Sequence, residues 1–166
     1  VLGSHDCEYT RTTGIWQTVW MEPVSENGLK SVQVNTDIDQ KQLVVRPLFY
    51  REGASGLRIT LTDPTSPKKP VAQKTVSAAN SSVAVLPLKT VKTWSPEDPF
   101  LYDLSYQVID KDGNVLDDIK SYVGMRKVHI EGNKIFLNNV PYYQRLVLDQ
   151  GYYPQSQWTA PSDEAL

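Results

Sequence analysis

Pairs of acidic residues are the groups in this 166-residue sequence that could most readily act as acid and base on a substrate. They are Asp37/Asp39, Glu97/Asp98, Asp110/Asp112, Asp117/Asp118 and Asp163/Glu164. Acid–base cleavage of a sugar linkage needs two carboxyl groups that face each other across the sugar, one of them protonated near neutral pH. Asp117 and Asp118 point to opposite faces of a strand, while Asp110 and Asp112 flank a turn. We interpret all these acids as solvated surface charges.

Other reactive sites need residues that the sequence does not supply. Cys7 is the only cysteine, so zinc sites built from cysteines are excluded. His5 and His129 are the only histidines, which excludes most metal sites built from several histidines. Metal sites made of carboxylates alone stay open. A weak calcium-loop pattern begins at Asp110, but its glycine is misplaced and Ser121 stands where a bidentate glutamate is needed. We predict no metal site and no cofactor.

The composition limits the partners that this chain can have. The formal net charge is −2, and there is no basic stripe of the kind that contacts nucleic-acid phosphates. No apolar run approaches the roughly 20 residues of a membrane-spanning helix. We therefore predict no nucleic-acid partner and no membrane partner. The localisation stays open between bacterial cytoplasm, periplasm and secretion.

The elements that must position any site are predicted to be β-strands. Tyr102, Leu104, Tyr106 and Val108 alternate with polar residues, which is the pattern of a sheet with one buried and one solvated face. The same alternation occurs at Leu57, Ile59 and Leu61 and again at Val32, Val34 and Ile38. The denser apolar runs at 42–50 and 82–88 predict central strands, and 14–23 predicts a further strand. About eight strands between Trp16 and Val123 indicate an all-β sandwich.

Turn chemistry separates the predicted strands. Asp112-Gly113 favours a tight hairpin because glycine accepts positive φ angles, and Glu26-Asn27-Gly28 has the same composition. Gly132-Asn133 and Asn138-Asn139 divide residues 127–144 into short β-ribbons. The proline-rich segment 63–70 is predicted to be an exposed loop, because proline cannot donate to a ladder.

Aromatic residues allow both a structural and a functional interpretation. Trp16, Trp20 and Trp94 suit core packing, although their flat indole faces would also suit a sugar ring. A second group is formed by Tyr142, Tyr143, Asp149, Gln150, Tyr152, Tyr153, Pro154 and Trp158. This mixture of rings, one carboxylate and one amide is either a tyrosine-rich surface loop or a ligand-lining loop completed by a partner domain.

Several stretches, taken in order, resemble glycoside hydrolase family 2, the β-galactosidase, β-glucuronidase and β-mannosidase group. Residues 9–20 resemble the end of that family's sugar-binding jelly roll, and residues 94–102 resemble the tryptophan-proline motif of its central immunoglobulin-like domain. Gly124-Met125-Arg126, followed by residues 135–138, is similar to the exit into the catalytic barrel. Residues 149–154 and 159–166 resemble the first barrel strand, its loop and the helix start.

The resemblance implies a domain plan. Residues 1–22 would be the tail of the N-terminal jelly roll and residues 23–126 an immunoglobulin-like β-sandwich. Residues 127–166 would be a linker hairpin and the start of a truncated TIM barrel. Asp149 and Gln150 would lie just past the first barrel strand, where TIM barrels bind substrate, and are the expected substrate-binding residues.

The resemblance also implies a function. The parent protein would be a retaining β-glycosidase whose two catalytic glutamates lie beyond Leu166. This chain would then hold no catalytic residue and act as an inactive, non-catalytic scaffold fragment. Its partners would be the remaining domains of the parent enzyme and, through them, a β-glycoside substrate. Exposed apolar surface on its flanking stubs would permit a homo-oligomer. The alternatives are an independent carbohydrate-binding module and a protein-interaction β-sandwich.

Overall fold

The computed structural model describes residues 14, 15, 17–148 and 151–165. Its elements are β1 (Leu29–Asp37), β2 (Gln42–Phe49), β3 (Gly56–Thr62), β4 (Pro70–Val76), β5 (Ala84–Pro87), β6 (Tyr102–Ile109), β7 (Val115–Val123), β8 (Val128–Glu131), β9 (Lys134–Leu137), β10 (Val140–Pro141) and a 3₁₀ turn (Asp163–Ala165). The chain divides into two compact units. Val24–Gln144 forms one, and residues 1–23 with 145–166 form the other. The domain boundaries at residues 22 and 126 stay a prediction.

Two antiparallel sheets form a sandwich in the larger unit. One has the strand order β1-β2-β5 and the other the order β4-β3-β6-β7. The side chains that meet between the sheets are mostly aliphatic, with two tyrosines from β6. They include Leu43, Val45, Leu57, Ile59, Leu61, Leu86, Tyr102, Leu104, Tyr106 and Val108. The predicted all-β, immunoglobulin-like sandwich is confirmed.

Register explains why the alternating residues share one core. In the pairing of β3 with β6, Leu61 lies opposite Leu104 and Ile59 lies opposite Tyr106. Directly opposed residues on antiparallel strands point to the same face, so both pairs enter the core together. A slip of one residue would carry every one of these side chains into water.

The predicted turn chemistry is confirmed around β6 and β7. Asp110 closes their connection, since its backbone N–H donates to the Asn114 carbonyl at 3.0 Å and its carboxylate accepts the N–H of Asp112 and of Asn114. Gly113 has a φ of 84°, which is costly for a residue with a Cβ. Residues 63–69 of the predicted proline-rich loop connect β3 to β4 and their middle is exposed, but Pro70 is already the first residue of β4.

Three expectations about strands need correction. The apolar run at 82–88 contains β5, which is an edge strand and not a central one, because its sheet has a strand on one side of it alone, β2. Val85 points outward and is 40% exposed. The described part of 14–23 contains no strand. Its apolar side chains, such as Val19 and Met21, are exposed. The alternating pattern alone does not form a strand there, because the described segment pairs with no neighbouring strand. Between residues 17 and 123 the described chain has seven strands rather than eight.

A small ribbon follows the sandwich in the same unit. It consists of β8, β9 and β10 in the order β10-β9-β8. The connections are two-residue turns at Gly132-Asn133 and Asn138-Asn139, as predicted. Gly132, Asn138 and Asn139 all have positive φ angles, which suit tight hairpins. Strands of 4, 4 and 2 residues are shorter than the usual length of about five to six, so the ribbon depends on what anchors it.

The second unit is described over parts of its length. Tyr153 and Gln157 exchange two backbone hydrogen bonds of 2.9 and 2.7 Å, which close a short loop. The rings of Tyr152 and Trp158 meet edge to face, with centroids 6.2 Å apart. Residues 163–165 form only one 3₁₀ turn, where a helix start was predicted. In the part of the chain that the structure describes, no helix has the length and apolar character to cross a membrane.

Candidate functional site

The two expected substrate-binding residues, Asp149 and Gln150, lie outside the described residues. The aromatic residues around them divide between the two units. Tyr142 belongs to the larger unit, where its hydroxyl donates to Glu97 Oε1 at 3.2 Å, and the neighbouring Tyr143 is exposed. Their role in binding a ligand therefore stays a prediction.

The acidic residues behave as surface charges over the described part of the chain. Each carboxyl group with a resolved shift has a lowered pKa, whereas a general acid needs a raised one. The Asn114 amide, followed by nearby backbone N–H groups, lowers the pKa of Asp110. The Lys92 ammonium and the Thr65 hydroxyl lower the pKa of Asp63 to about 2. Such groups are carboxylates at neutral pH and cannot deliver a proton to a leaving group.

The described residues contain no cluster of three or more His, Cys, Asp or Glu side chains that could hold a metal ion. What the structure brings together instead is a polar network where the sandwich meets the ribbon. We call this network the junction, and it consists of Asp39, Trp94, Lys127, Asn138 and Asn139. Asp39 lies in the β1–β2 turn and Trp94 in the segment before β6. Lys127 directly precedes β8, and Asn138-Asn139 forms the β9–β10 turn.

One half of the junction is ionic. Lys127 Nζ lies 2.6 Å from Asp39 Oδ2, and Asn139 Nδ2 donates to the other carboxylate oxygen at 2.6 Å. Asp39 can accept both because it stands at the tip of the β1–β2 turn, facing the start and the middle of the ribbon. A single carboxylate thus ties two separate points of the ribbon to the smaller sheet.

The other half of the junction is centred on Asn138. Its side-chain Nδ2 donates to the Trp94 carbonyl at 3.0 Å, and its Oδ1 accepts the Lys127 N–H at 3.1 Å. Its own N–H donates to the Lys127 carbonyl at 2.9 Å, with φ at 51°. Asparagine adopts this left-handed conformation more readily than other non-glycine residues. Asn138 therefore closes the turn and anchors it to the sandwich at the same time.

Trp94 is fixed from three sides. Its N–H donates to the Met125 carbonyl at 2.9 Å, and the Arg126 guanidinium lies 4.7 Å from its ring centroid. A Cβ added to Gly124 would come within 3.1 Å of the Trp94 side chain, so the absence of a side chain at 124 lets the indole approach. Thr36 adds a hydrogen bond of 2.7 Å to the Arg126 carbonyl. The chain leaving β7 is thus held against both sheets.

Acid is expected to weaken the ionic half of the junction. Hydrogen bonds from Lys127 and Asn139 lower the pKa of Asp39 below its ordinary 3.8. Because the pKa is lower in the folded state, this contribution to stability is complete above pH 3.8 and is lost as the pH falls through the folded pKa. In an NMR titration of side-chain carboxyl shifts, Lys127→Met should move the Asp39 midpoint upward.

Lys30→Met is the matched control for that titration, since Lys30 lies at the other end of β1 and should leave the Asp39 midpoint unchanged. An Asp39 midpoint that does not move in Lys127→Met would contradict the ionic role of the pair.

Two open depressions border the junction. One, of about 420 Å³, is lined by Asn35, Thr36, Asp37, Asp39, Val44, Arg46 and Lys127. The other, of about 620 Å³, is lined by Val34, Thr36, Trp94, Leu101, Tyr122, Val123, Gly124, Arg126 and Val128. The first mixes paired charges with polar groups, and the second combines apolar side chains with one guanidinium. The first holds two carboxyl groups, Asp37 and Asp39, but the pKa of Asp39 is lowered by its hydrogen bonds to Lys127 and Asn139, which does not suit a general acid. The lining of the second contains no carboxyl group.

A profile of the family "Glycosyl hydrolases family 2" matches residues 15–126, which cover the whole sandwich. This chain belongs to glycosyl hydrolase family 2. The resemblance drawn from the sequence motifs is thereby confirmed.

Family 2 relatives are distant in sequence and much longer. The chain is 27% identical over 160 residues to a β-galactosidase of Oenococcus oeni, covering 82% of this chain and 14% of the relative. It is 22% identical over 137 residues to a β-glucuronidase of Paenibacillus borealis, covering 82% and 22%. The chain thus spans between about a seventh and about a fifth of the length of these relatives.

Solved structures of the family show the same architecture. A β-glucuronidase from Ruminococcus gnavus, in complex with D-glucuronic acid, aligns with a TM-score of 0.58 and 25% identity. The alignment covers 72% of this chain and 19% of that one. The structure of the same enzyme with uronic deoxynojirimycin gives a TM-score of 0.60.

Sequence reasoning did not identify the junction, although it singled out several of its members. The sequence predicts a turn at Asn138-Asn139, and it predicts for Trp94 core packing, sugar stacking or a place in the family's tryptophan-proline motif. Two features of the sequence could have pointed to the junction: the pair Asn138-Asn139, which suits positive φ angles, and Gly124, which lies against Trp94. Neither reveals that Asp39 and Lys127, 88 residues apart, form an ion pair.

Proposed function

We propose that this chain acts as a non-catalytic scaffold within a retaining β-glycosidase of family 2. The sandwich would hold the ribbon, and whatever follows the ribbon, in a fixed orientation. The observation that carries this proposal is the junction, which binds the ribbon to the sandwich through both side chains and backbone. Family membership and the small share of each relative that the chain spans support it.

The form of the junction favours a role in fixing orientation. A bond from a side chain to a backbone group has fewer adjustable torsions than one between two long side chains. Asn138 makes such bonds to Trp94 and to Lys127, and both groups are partly buried. Surface ion pairs alone contribute little, but here the Asp39–Lys127 pair shares its carboxylate with Asn139. The ribbon is therefore attached to the sandwich at two points, Asp39 and the Trp94 carbonyl. Two attachment points restrict the rotation of the ribbon as well as its distance from the sandwich.

The chemistry of bond cleavage is assigned to the rest of the parent enzyme. A retaining mechanism needs a nucleophile and an acid/base carboxyl about 5 Å apart, and the acid must hold its proton near neutral pH. Every described carboxyl group with a resolved shift has a lowered pKa instead. Asp149 and Gln150 are proposed to contact substrate hydroxyls from the end of the first barrel strand. They would contribute to binding only when the barrel is complete.

The proposal is tested by comparing the chain with a longer polypeptide that contains it. Both are assayed on nitrophenyl β-galactoside, β-glucuronide and β-mannoside. The longer enzyme should hydrolyse at least one of them, and the chain alone should hydrolyse none. Hydrolysis by the purified chain at an enzyme-like rate, unchanged through further purification, would refute the scaffold role.

The scaffold role has its own matched pair of variants in the longer enzyme. Asp39→Ala removes the carboxylate that ties the ribbon down and should lower the hydrolysis rate several-fold, because misplaced reacting groups slow catalysis. Asp112→Ala removes an exposed carboxylate in the β6–β7 turn and should leave the rate unchanged. Equal rates in the two variants would argue that the junction does not position the active site.

Exposed aromatic rings favour carbohydrate binding as a second candidate function. Tyr143 and Trp20 present large exposed side chains, and aromatic faces suit sugar rings. Titration of the chain with galactosides, glucuronides and mannosides separates the two candidates. Binding at millimolar concentration or tighter would favour the module, and no binding would favour the scaffold.

A further inference from the structure

The depression beside Trp94 has an unusual composition for a surface of a small sandwich. Its exposed lining includes Leu101, Tyr122, Arg126 and Val128, with Trp94 beneath the guanidinium. We call these five residues the Trp94–Arg126 groove. Tyr122 is 70% exposed and Val128 is 62% exposed, so large apolar side chains face water here. Contiguous exposed apolar surface of this kind commonly marks an interaction site.

The groove continues onto one face of the ribbon. Val128 pairs with Leu137, which in turn pairs with Val140, and Ile130 pairs with Ile135. Opposed residues share a face, so all five side chains lie on one side of the ribbon. Val140 is 63% exposed and Ile130 is 71% exposed. The groove and the ribbon face thus form one apolar surface joined at Val128.

Arg126 is the one guanidinium in this groove, and no described carboxylate pairs with it. Its position 4.7 Å from the Trp94 ring centroid holds it over an aromatic face. An arginine stacked in this way offers planar donors that match a carboxylate. Arginine and aromatic residues at the centre of an apolar patch are also the side chains that dominate protein interfaces. A ligand that pairs with Arg126 in this groove would therefore carry a negative charge.

We propose that the Trp94–Arg126 groove and the adjoining ribbon face bind a segment of another domain of the same longer glycosidase, and that this segment presents an Asp or Glu carboxylate to Arg126 among apolar side chains. The inference rests on the scaffold role proposed above. A polypeptide fits better than a sugar because the ribbon face is aliphatic over three strands, whereas sugars bind to rings and hydroxyl partners. The indole of Trp94 is already covered by Arg126 and by the chain at Gly124.

Thiol accessibility tests the proposal. Tyr122→Cys places a thiol in the groove, and Lys111→Cys places one in the exposed β6–β7 turn at the other end of the same strands. Each is introduced into the chain and into the longer enzyme, and maleimide labelling at that residue is followed by peptide mass spectrometry. Labelling at 122 should be slower in the longer enzyme than in the chain by about tenfold or more. Labelling at 111 should be the same in both.

A second substitution separates charge from shape. In the longer enzyme, Arg126→Gln should raise the labelling rate at 122 toward that of the chain, and Arg126→Lys should raise it less. Equal labelling at 122 in the chain and in the longer enzyme would overturn the proposal. Labelling of the chain at 122 that slows as the chain concentration rises would also overturn it, because a second copy would then occupy the groove. Protection of residue 122 by added sugar would overturn it as well.

Failure of this inference is distinguishable from failure of the scaffold role. Glycosidase activity of the longer enzyme, measured on the same preparation, reports on the proposed function. An active enzyme in which residue 122 labels freely would overturn only the docking surface. A longer polypeptide without glycosidase activity, or a chain that is active alone, would remove the proposed function itself.

Discussion

Leu43→Ala is expected to lower the free energy of unfolding by about 3 kcal/mol. Leu43 lies on β2, the central strand of the smaller sheet, and is 0% exposed. It sits opposite Leu86 on β5 and Thr36 on β1. Because three strands pack around this side chain, the site cannot collapse to fill the cavity. The loss would therefore include a cavity contribution beyond the lost hydrophobic transfer.

Leu48→Ala on the same strand is the matched control. Leu48 points to the outer face and is 41% exposed, so its truncation should cost less than about 1 kcal/mol. Urea unfolding followed by far-ultraviolet circular dichroism gives both values, and an unchanged slope shows that only stability has changed. Similar losses at 43 and 48 would mean that the two faces of β2 are not buried as described.

Asn138→Ala is expected to destabilise the ribbon by about 2–3 kcal/mol. Two hydrogen bonds at about 1 kcal/mol each are lost, and the partly buried Trp94 carbonyl and Lys127 N–H lose their partner. The φ of 51° at this position adds a backbone penalty for alanine. Amide hydrogen exchange at His129 and Phe136, which face each other between β8 and β9, should therefore accelerate strongly.

Two further variants separate the causes. Asn138→Gly removes the same hydrogen bonds but accepts a positive φ without strain, so its effect on exchange should be smaller than that of alanine by about the backbone penalty. Asn133→Ala changes an exposed asparagine in the other ribbon turn and should alter ribbon exchange little. Exchange unaffected by Asn138→Ala would show that the junction does not hold the ribbon.

Strand positions could be predicted from the sequence where alternation and a turn signal coincide. Tyr102, Leu104 and Tyr106 fall on the inner face of β6, and Asp112-Gly113 closes the hairpin to β7. Both signals are local, since a pleated strand and a positive φ depend on neighbouring residues only. The position of a strand within its sheet is not local. The run at 82–88 was predicted to be central because it is apolar, yet Val83 and Val85 face outward at an edge.

The junction could not be predicted because its contacts join residues far apart in sequence. Asn139 reaches Asp39 across 100 residues, and Asn138 reaches Trp94 across 44. Neither Asp39 nor Lys127 differs in spacing or composition from other exposed charges. Only the folded register brings the β1–β2 turn and the ribbon together. Family motifs predict an exit from the sandwich at Gly124-Met125-Arg126 but carry no information about what holds the chain there.

The strand order has a consequence for how this chain assembles during its synthesis. β3 can pair with β4 as soon as both have left the ribosome, but its other neighbour is β6, which emerges only after residues 63–101. Until then one edge of β3 is unpaired, and Ile59 and Leu61 lack their cross-strand neighbours Tyr106 and Leu104. Non-local pairing of this kind is slow. The nascent chain therefore exposes an unpaired strand edge and an incompletely covered core face until Tyr102–Ile109 is available. Translation speed across 63–101 thus sets how long a chaperone would have to shield it.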